Sequence, residues 1–67
     1  MIRLTRLNKS EIVINAELIQ YLEETPDTVI TLTTGNKIVV LEQASVIVDK
    51  VIEYKRKIHQ QEFNKEL

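Results

Sequence analysis

The stretch "TVITLTTGNKIVVLE", residues 28–42, constrains the fold more tightly than any other part of the chain. Its β-branched residues sit on either side of Gly35, the only glycine in the sequence, and Thr34, Gly35 and Asn36 supply a turn between two strands. The hairpin is apolar on both faces. Ile38 and Val40 alternate to one side, and Val39 and Leu41 to the other. A single helix covers only one face of a sheet, so the second face must either curl closed on itself or meet another molecule. A homo-oligomer or a partner protein is the expected cover.

Chain length sharpens that expectation. With 67 residues there is room for one domain, and a chain of this size buries only about 60% of the surface its unfolded form exposes. Small domains of this kind need a staple. Cysteine is absent and there is one histidine, which excludes both a disulfide and a Cys/His zinc site. The staple is then self-association, a partner or very close packing.

A second hairpin precedes the first. "IRLTRL" alternates, with Ile2, Leu4 and Arg6 on one side, and "EIVIN" resumes after "NKS" with Ile12 and Ile14 opposite Val13. Asn8 is the expected pivot of the intervening turn, as the non-glycine residue that best tolerates positive φ. In "NAELIQYLEET", Asn15 opens a short turn to Glu17, followed by a strand with Leu18, Gln20 and Leu22 on one face. "TPD" then turns the chain into residues 28–42.

The period changes at Ser45. Ile47, Val51, Tyr54 and Ile58 step by four, three and four, with Val48 and Ile52 beside them, so an amphipathic helix opens at Ser45 as N-cap and runs to about His59. The expected architecture is α+β: a small curled antiparallel β-meander of about five strands followed by one C-terminal amphipathic helix. Residues 1–58 form the single domain, and residues 59–67 a polar helix extension or tail.

Catalytic chemistry has no foothold in this pattern. His59 lies among Lys55, Arg56 and Lys57 on a polar helix end and reads as solvated. Ser10 and Ser45 have no neighbouring base. Glu23, Glu24 and Asp27 cluster at a turn without the spacing of a calcium loop. No cofactor and no metal is expected. No run of about 18 apolar residues is present to insert in a membrane, and "MIRLTRLNKS" lacks the apolar region of a signal peptide, so a cytoplasmic protein is expected.

The formal net charge of −1 offers no general attraction for nucleic acid. A local basic patch of Lys55, Arg56 and Lys57, extended by Arg3, Arg6 and Lys9, keeps a nucleic-acid-binding regulator as the alternative function. The aromatics Tyr21, Tyr54 and Phe63 are too scattered for a base-stacking platform, which makes that alternative the weaker one.

The order "MIRLTRLN", "INAELIQYLEETPDTVITLTTGNKIVVLE" and a helix ending "VIEYKRKI" resembles the FlbD family of flagellar and swarming-motility proteins, also called SwrD. The resemblance spans about residues 1–58, with Asn8, Pro26, Asp27 and Gly35 as fold markers. It implies a small cytoplasmic, non-enzymatic protein that raises flagellar motor power at the level of the stators, at the cytoplasmic face of the flagellar base. Lys9 stands where the family usually has glycine, which points to a longer turn through Ser10. The apolar "SVIVD" replaces a more acidic helix start. A looser likeness in element order links Leu18 to Tyr54 with the DNA-binding domains of LytTR-type regulators.

Partner contacts are expected at Val39 and Leu41 on the second sheet face, or along the helix seam Ile47, Val51, Tyr54 and Ile58. Lys55, Arg56 and Lys57 would steer an acidic partner such as a flagellar motor or stator protein.

Overall fold

A computed structural model describes the backbone of residues 1–66 and the side chains of residues 1–58. The chain runs β1 (Ile2–Thr5), β2 (Glu11–Ile14), a 3-10 turn (Ala16–Leu18), β3 (Ile19–Glu24), β4 (Thr28–Leu32), β5 (Lys37–Val40) and α1 (Ala44–Glu66). This is the expected meander and helix. The strands form two antiparallel sheets, β1-β2 and β3-β4-β5. Arg6 bridges Val40 between them, so the whole curls without closing into a barrel.

The β1–β2 hairpin pairs Ile2 with Ile14 and Leu4 with Ile12, which sends these four side chains to the core. Its turn corrects the expected pivot. Lys9, not Asn8, takes the positive φ, at 70°. The Lys9 N–H donates to Arg6 O at 2.9 Å, and the Arg6 N–H donates to Ser10 O at 2.9 Å, which lengthens the loop through Ser10. Asn8 works through its side chain instead, its Oδ1 accepting from the Ser10 N–H at 3.0 Å and the Ser10 hydroxyl at 2.7 Å. An Asn side chain that folds back on the backbone holds a turn without itself entering the left-handed region.

Asn15 behaves as expected. Its Oδ1 accepts from the Glu17 N–H at 3.0 Å and starts the 3-10 turn. The strand that follows is out of phase with the alternation read from sequence. Ile19 pairs with Leu32 and Tyr21 with Thr31, so a bulge falls between them. The extra residue shifts the facing: Ile19 and Leu22 pack on the core, and Leu18 is exposed. At the next hairpin, Gly35 supplies the left-handed turn residue at φ 93°.

The helix begins one residue before the expected cap. Gln43 O accepts from the N–H groups of Val46 and Ile47 at 3.0 and 3.2 Å, so Gln43 is the capping residue and Ser45 lies inside the first turn. That turn contains no acid. The negative charge favoured at a helix N-terminus comes from β3, whose Glu24 Oε1 accepts from the Ala44 N–H at 3.0 Å. The helix backbone runs on to Glu66, so the stretch expected as extension or tail starts within the helix. The side chains from His59 onward lie outside the described residues.

The core consists of Ile2, Leu4, Ile14, Ala16, Ile30, Val40 and Ile47, with Leu22, Ile38, Val51 and Tyr54 among the half-buried residues packed against it. Both sheets and the helix contribute to this one cluster.

Where β1 meets β5 the backbone is locked from two directions. Thr5 O accepts from the Leu41 N–H at 2.8 Å. The Glu42 carboxylate accepts from the Thr5 N–H and the Thr5 hydroxyl, each at 2.9 Å. Burial pushes the Glu42 carboxyl pKa up, but the hydrogen bonds from Thr5 and its own backbone, with Lys50 nearby, outweigh that and hold it below its ordinary value of 4.5.

Two predictions arise from this geometry. A left-handed conformation costs a non-glycine residue about 1–2 kcal/mol, part of which returns as unfolded-state entropy when glycine replaces it. Lys9→Gly should therefore raise stability by about 1 kcal/mol, read as a rise of ~4–8 °C in Tm; an unchanged or lower Tm would contradict the assignment of strain to Lys9. For Glu42, a lowered folded pKa means stability that is fully present above the unfolded value and lost as pH falls through the folded one. Glu42→Gln should lower Tm at neutral pH and flatten its decline below pH 4.5. Parallel wild-type and variant profiles in that window would remove the Thr5–Glu42 clamp as the cause.

Candidate interaction surface

The residues expected to meet a partner separate into three environments. Ile47 is fully buried, and Val51 and Tyr54 pack beside it on the core. The helix seam read from sequence is therefore spent on the protein's own sheet. Ile58, at the end of the seam, is half-buried.

Val39 and Leu41 lie elsewhere. Register places Val39 opposite Val29 on the outer face of the three-stranded sheet, the face away from α1. Val39 and Val29 are half-buried there, while Leu41, just beyond β5, is 51% exposed. The outer face also carries the row Tyr21, Thr31 and Lys37. Thr31 is buried, and its hydroxyl has no hydrogen-bond partner among the described residues.

The cations are likewise divided. Arg6 and Lys37 line an open depression of about 320 Å³ with Leu7, Asn8, Ile38 and Val39. Lys55 lines a different one, and Arg56 and Lys57 are exposed on the helix beyond it. Arg3 is paired with Glu11 at 3.4 Å in an exposed contact, of a kind worth only about 0–1 kcal/mol. The basic residues grouped by sequence thus line separate hollows rather than a single cavity.

A groove of about 270 Å³ runs between α1 and β3. Ala16, Ile19 and Leu22 meet Val51 along it, Val48, Ile52 and Lys55 stand on its helix side, and Tyr21 borders it from the edge of β3. Tyr21, Val48 and Ile52 are exposed by 46%, 46% and 49%. Sequence reasoning set Val48 and Ile52 beside the seam without assigning them a role. The available signal was the width of the apolar band: Val46, Ile47, Val48, Val51 and Ile52 span more of the helix circumference than one sheet can cover.

Among the described residues no group of three or more His, Cys, Asp or Glu side chains converges as a metal site. Of the acids clustered at the β3–β4 turn, Glu24 is engaged at the helix N-terminus. No helix among the described residues is long and apolar enough to cross a membrane.

The site defines a small α+β domain whose distinctive features are apolar and basic surface patches. The chain belongs to the FlbD family, described as flagellar and swarming motility proteins, whose family model matches residues 1–59. Searches among curated proteins and among solved structures return no significant match.

The outer face yields a test of its own. A buried hydroxyl without a partner costs about 1–3 kcal/mol, and a methyl in its place carries no such cost. Thr31→Val is expected to raise stability by about 1 kcal/mol in urea unfolding. A loss of stability would show that the Thr31 hydroxyl makes a bond worth keeping.

Proposed function

We propose that this protein supports flagellar motor power by binding a motor component at the stator, on the cytoplasmic side of the flagellar base, without catalysing a reaction. Family membership supplies the motility context. The observation that carries the contact is Leu41: a large apolar side chain, half-exposed at the end of β5, next to a sheet face that α1 does not cover. Val39, two residues earlier and half-buried, alternates to the same side of the chain.

An exposed apolar anchor on a protein that also presents exposed cations suits a contact in which burial supplies affinity and charge speeds encounter. Arg56 and Lys57 are exposed on α1 and would steer an acidic partner. The helix seam plays no part in this contact, because Ile47, Val51 and Tyr54 are already committed to the core.

The test uses a swarming bacterium from which its own family member has been deleted, complemented with variants of this chain. Leu41→Asp should leave the circular dichroism spectrum and Tm near wild type, because the side chain is half in solvent, yet reduce swarming and bead-loaded motor torque to the level of the deletion strain. Arg56→Glu with Lys57→Glu should give a partial loss. Full swarming and torque from both variants, expressed at wild-type levels, would rule out this surface and with it the proposed contact.

A further inference from the structure

Strand β5 has an unfinished edge. The Leu32 N–H donates to Asn36 O at 2.9 Å, and the β4–β5 register then makes Ile38 and Val40 the residues bonded to β4. Lys37, Val39 and Leu41 turn their backbone groups the other way, towards β1. The Leu41 N–H uses that side, donating to Thr5 O at 2.8 Å. Pairing goes no further, because the Arg6–Val40 bridge is isolated and the chain leaves at Arg6 into the turn closed by Lys9 and Ser10. Among the described residues the Val39 N–H and the Lys37 carbonyl have no backbone partner.

The depression of about 320 Å³ lies in the fork where the two strands part. Lys37, Ile38 and Val39 form one wall, and Arg6, Leu7 and Asn8 the other. Side chains alternate sides along a strand, so a hollow lined by consecutive residues follows the strand's edge rather than one face of the sheet.

We propose that an extended, acidic segment of a partner protein docks in this fork and adds a strand to the β5 edge at Lys37 and Val39. Donors and acceptors spaced along an edge strand are matched by another peptide chain, and by neither a lipid headgroup nor a nucleic-acid phosphate. Charge selects the acidic sequence. Arg6 and Lys37 are exposed, and neither is in an ion pair among the described residues.

No acid lines the fork to compete with such a segment. Glu42 is held by Thr5, and Glu11 pairs with Arg3. Glu23 is on β3, and the Thr33 N–H bond to Leu18 O keeps Glu17 on that same side, so β4 separates both from β5. Asp27 precedes β4 at the end of the hairpin opposite Lys37. Leu7, 50% exposed, and Val39 offer a seat for an aliphatic side chain of the segment.

Other templates and occupants fit less well. The free edge of β3 is interrupted by its bulge, a device that blunts strand addition. Two copies joined β5 to β5 would crowd both pairs of Arg6 and Lys37 into one seam, against like charge. The proposal does not rest on the motor contact at Leu41, since it is read with peptide in solution whatever the partner is.

The experiment is amide NMR of the full chain, titrated with a capped hexapeptide of four glutamates and two valines and, as control, with the same peptide carrying lysine for glutamate. In the free protein the Val39 amide should exchange with solvent far faster than those of Ile38 and Val40. The glutamate peptide should shift the amides of Leu7, Lys37 and Val39 saturably and slow exchange at Val39, while the lysine peptide should do neither. Arg6→Glu combined with Lys37→Glu, both at exposed positions, should keep the circular dichroism spectrum, weaken the glutamate peptide by about tenfold or more and admit the lysine peptide instead. Equal protection of the Val39, Ile38 and Val40 amides in the free protein would overturn the proposal. So would the absence of saturable shifts at millimolar glutamate peptide, or equal binding of the two peptides. Shifts of these amides with the protein's own concentration, or with phosphatidylglycerol vesicles in place of the peptide, would assign the fork to a second copy or to a membrane and overturn it as well.

Discussion

Thr5 is the residue through which two very small sheets become one protein. A two-stranded ribbon is marginal in water by itself, and three strands need a covered apolar face to persist. Here the end of β1 is tied to the end of β5 by three hydrogen bonds that converge on Thr5: its carbonyl takes the Leu41 N–H, and its N–H and hydroxyl both go to the Glu42 carboxylate. A carboxylate acceptor makes those bonds stronger than neutral ones. With the junction in place, Leu4 of the first sheet and Val40 and Ile30 of the second lie in one core, and Ile47 of the helix closes over them. The helix itself is anchored by the same logic, since its first N–H groups are met by Gln43 and by Glu24 from β3.

That arrangement answers why the hairpin at residues 28–42 is apolar on two faces. One face, with Ile30, Ile38 and Val40, makes the core under α1. The other is partly sheltered by its own rows, with Val29 and Val39 half-buried and Thr31 buried. What remains open on this hairpin is smaller than the sequence suggests: Leu41 is its one exposed large apolar side chain. Apolar surface beyond what the core consumes is where contact with another molecule would form, and it bears on the proposed motor contact.

Much of this was legible in the sequence, for physical reasons that can be named. Alternation of period two found the strands, and the change to a period near 3.6 found the helix and its seam, because each reflects a core on one side. Gly35 marked its turn through a backbone requirement that few other residues meet. The misreadings share a cause. The bulge at Gln20, the capping of α1 by Glu24 and the Thr5–Glu42 clamp depend on partners far along the chain, 20 and 37 residues away in the last two cases. Local propensity contains no record of them. The seam was found correctly as a stripe, but whether a stripe faces a partner or the protein's own sheet is decided only when the sheet is in place. Lys9 shows the remaining kind of miss: Asn8 had the better intrinsic tolerance for positive φ, and the hydrogen bonds to Ser10 put its side chain to another use.

The central claim is that the Thr5 junction makes the two sheets a single cooperative unit. The most direct measurement is native-state amide hydrogen exchange at Leu41, whose N–H is held by Thr5 O, compared with the amides of β4. If the junction unites the sheets, Leu41 and the β1–β2 hairpin will exchange with the same opening free energy as β4 and show the same dependence on added denaturant. Exchange of Leu41 and β1 through a separate opening of much lower free energy, while β4 stays protected, would contradict the account and leave the β1–β2 hairpin as an appendage to a three-stranded domain.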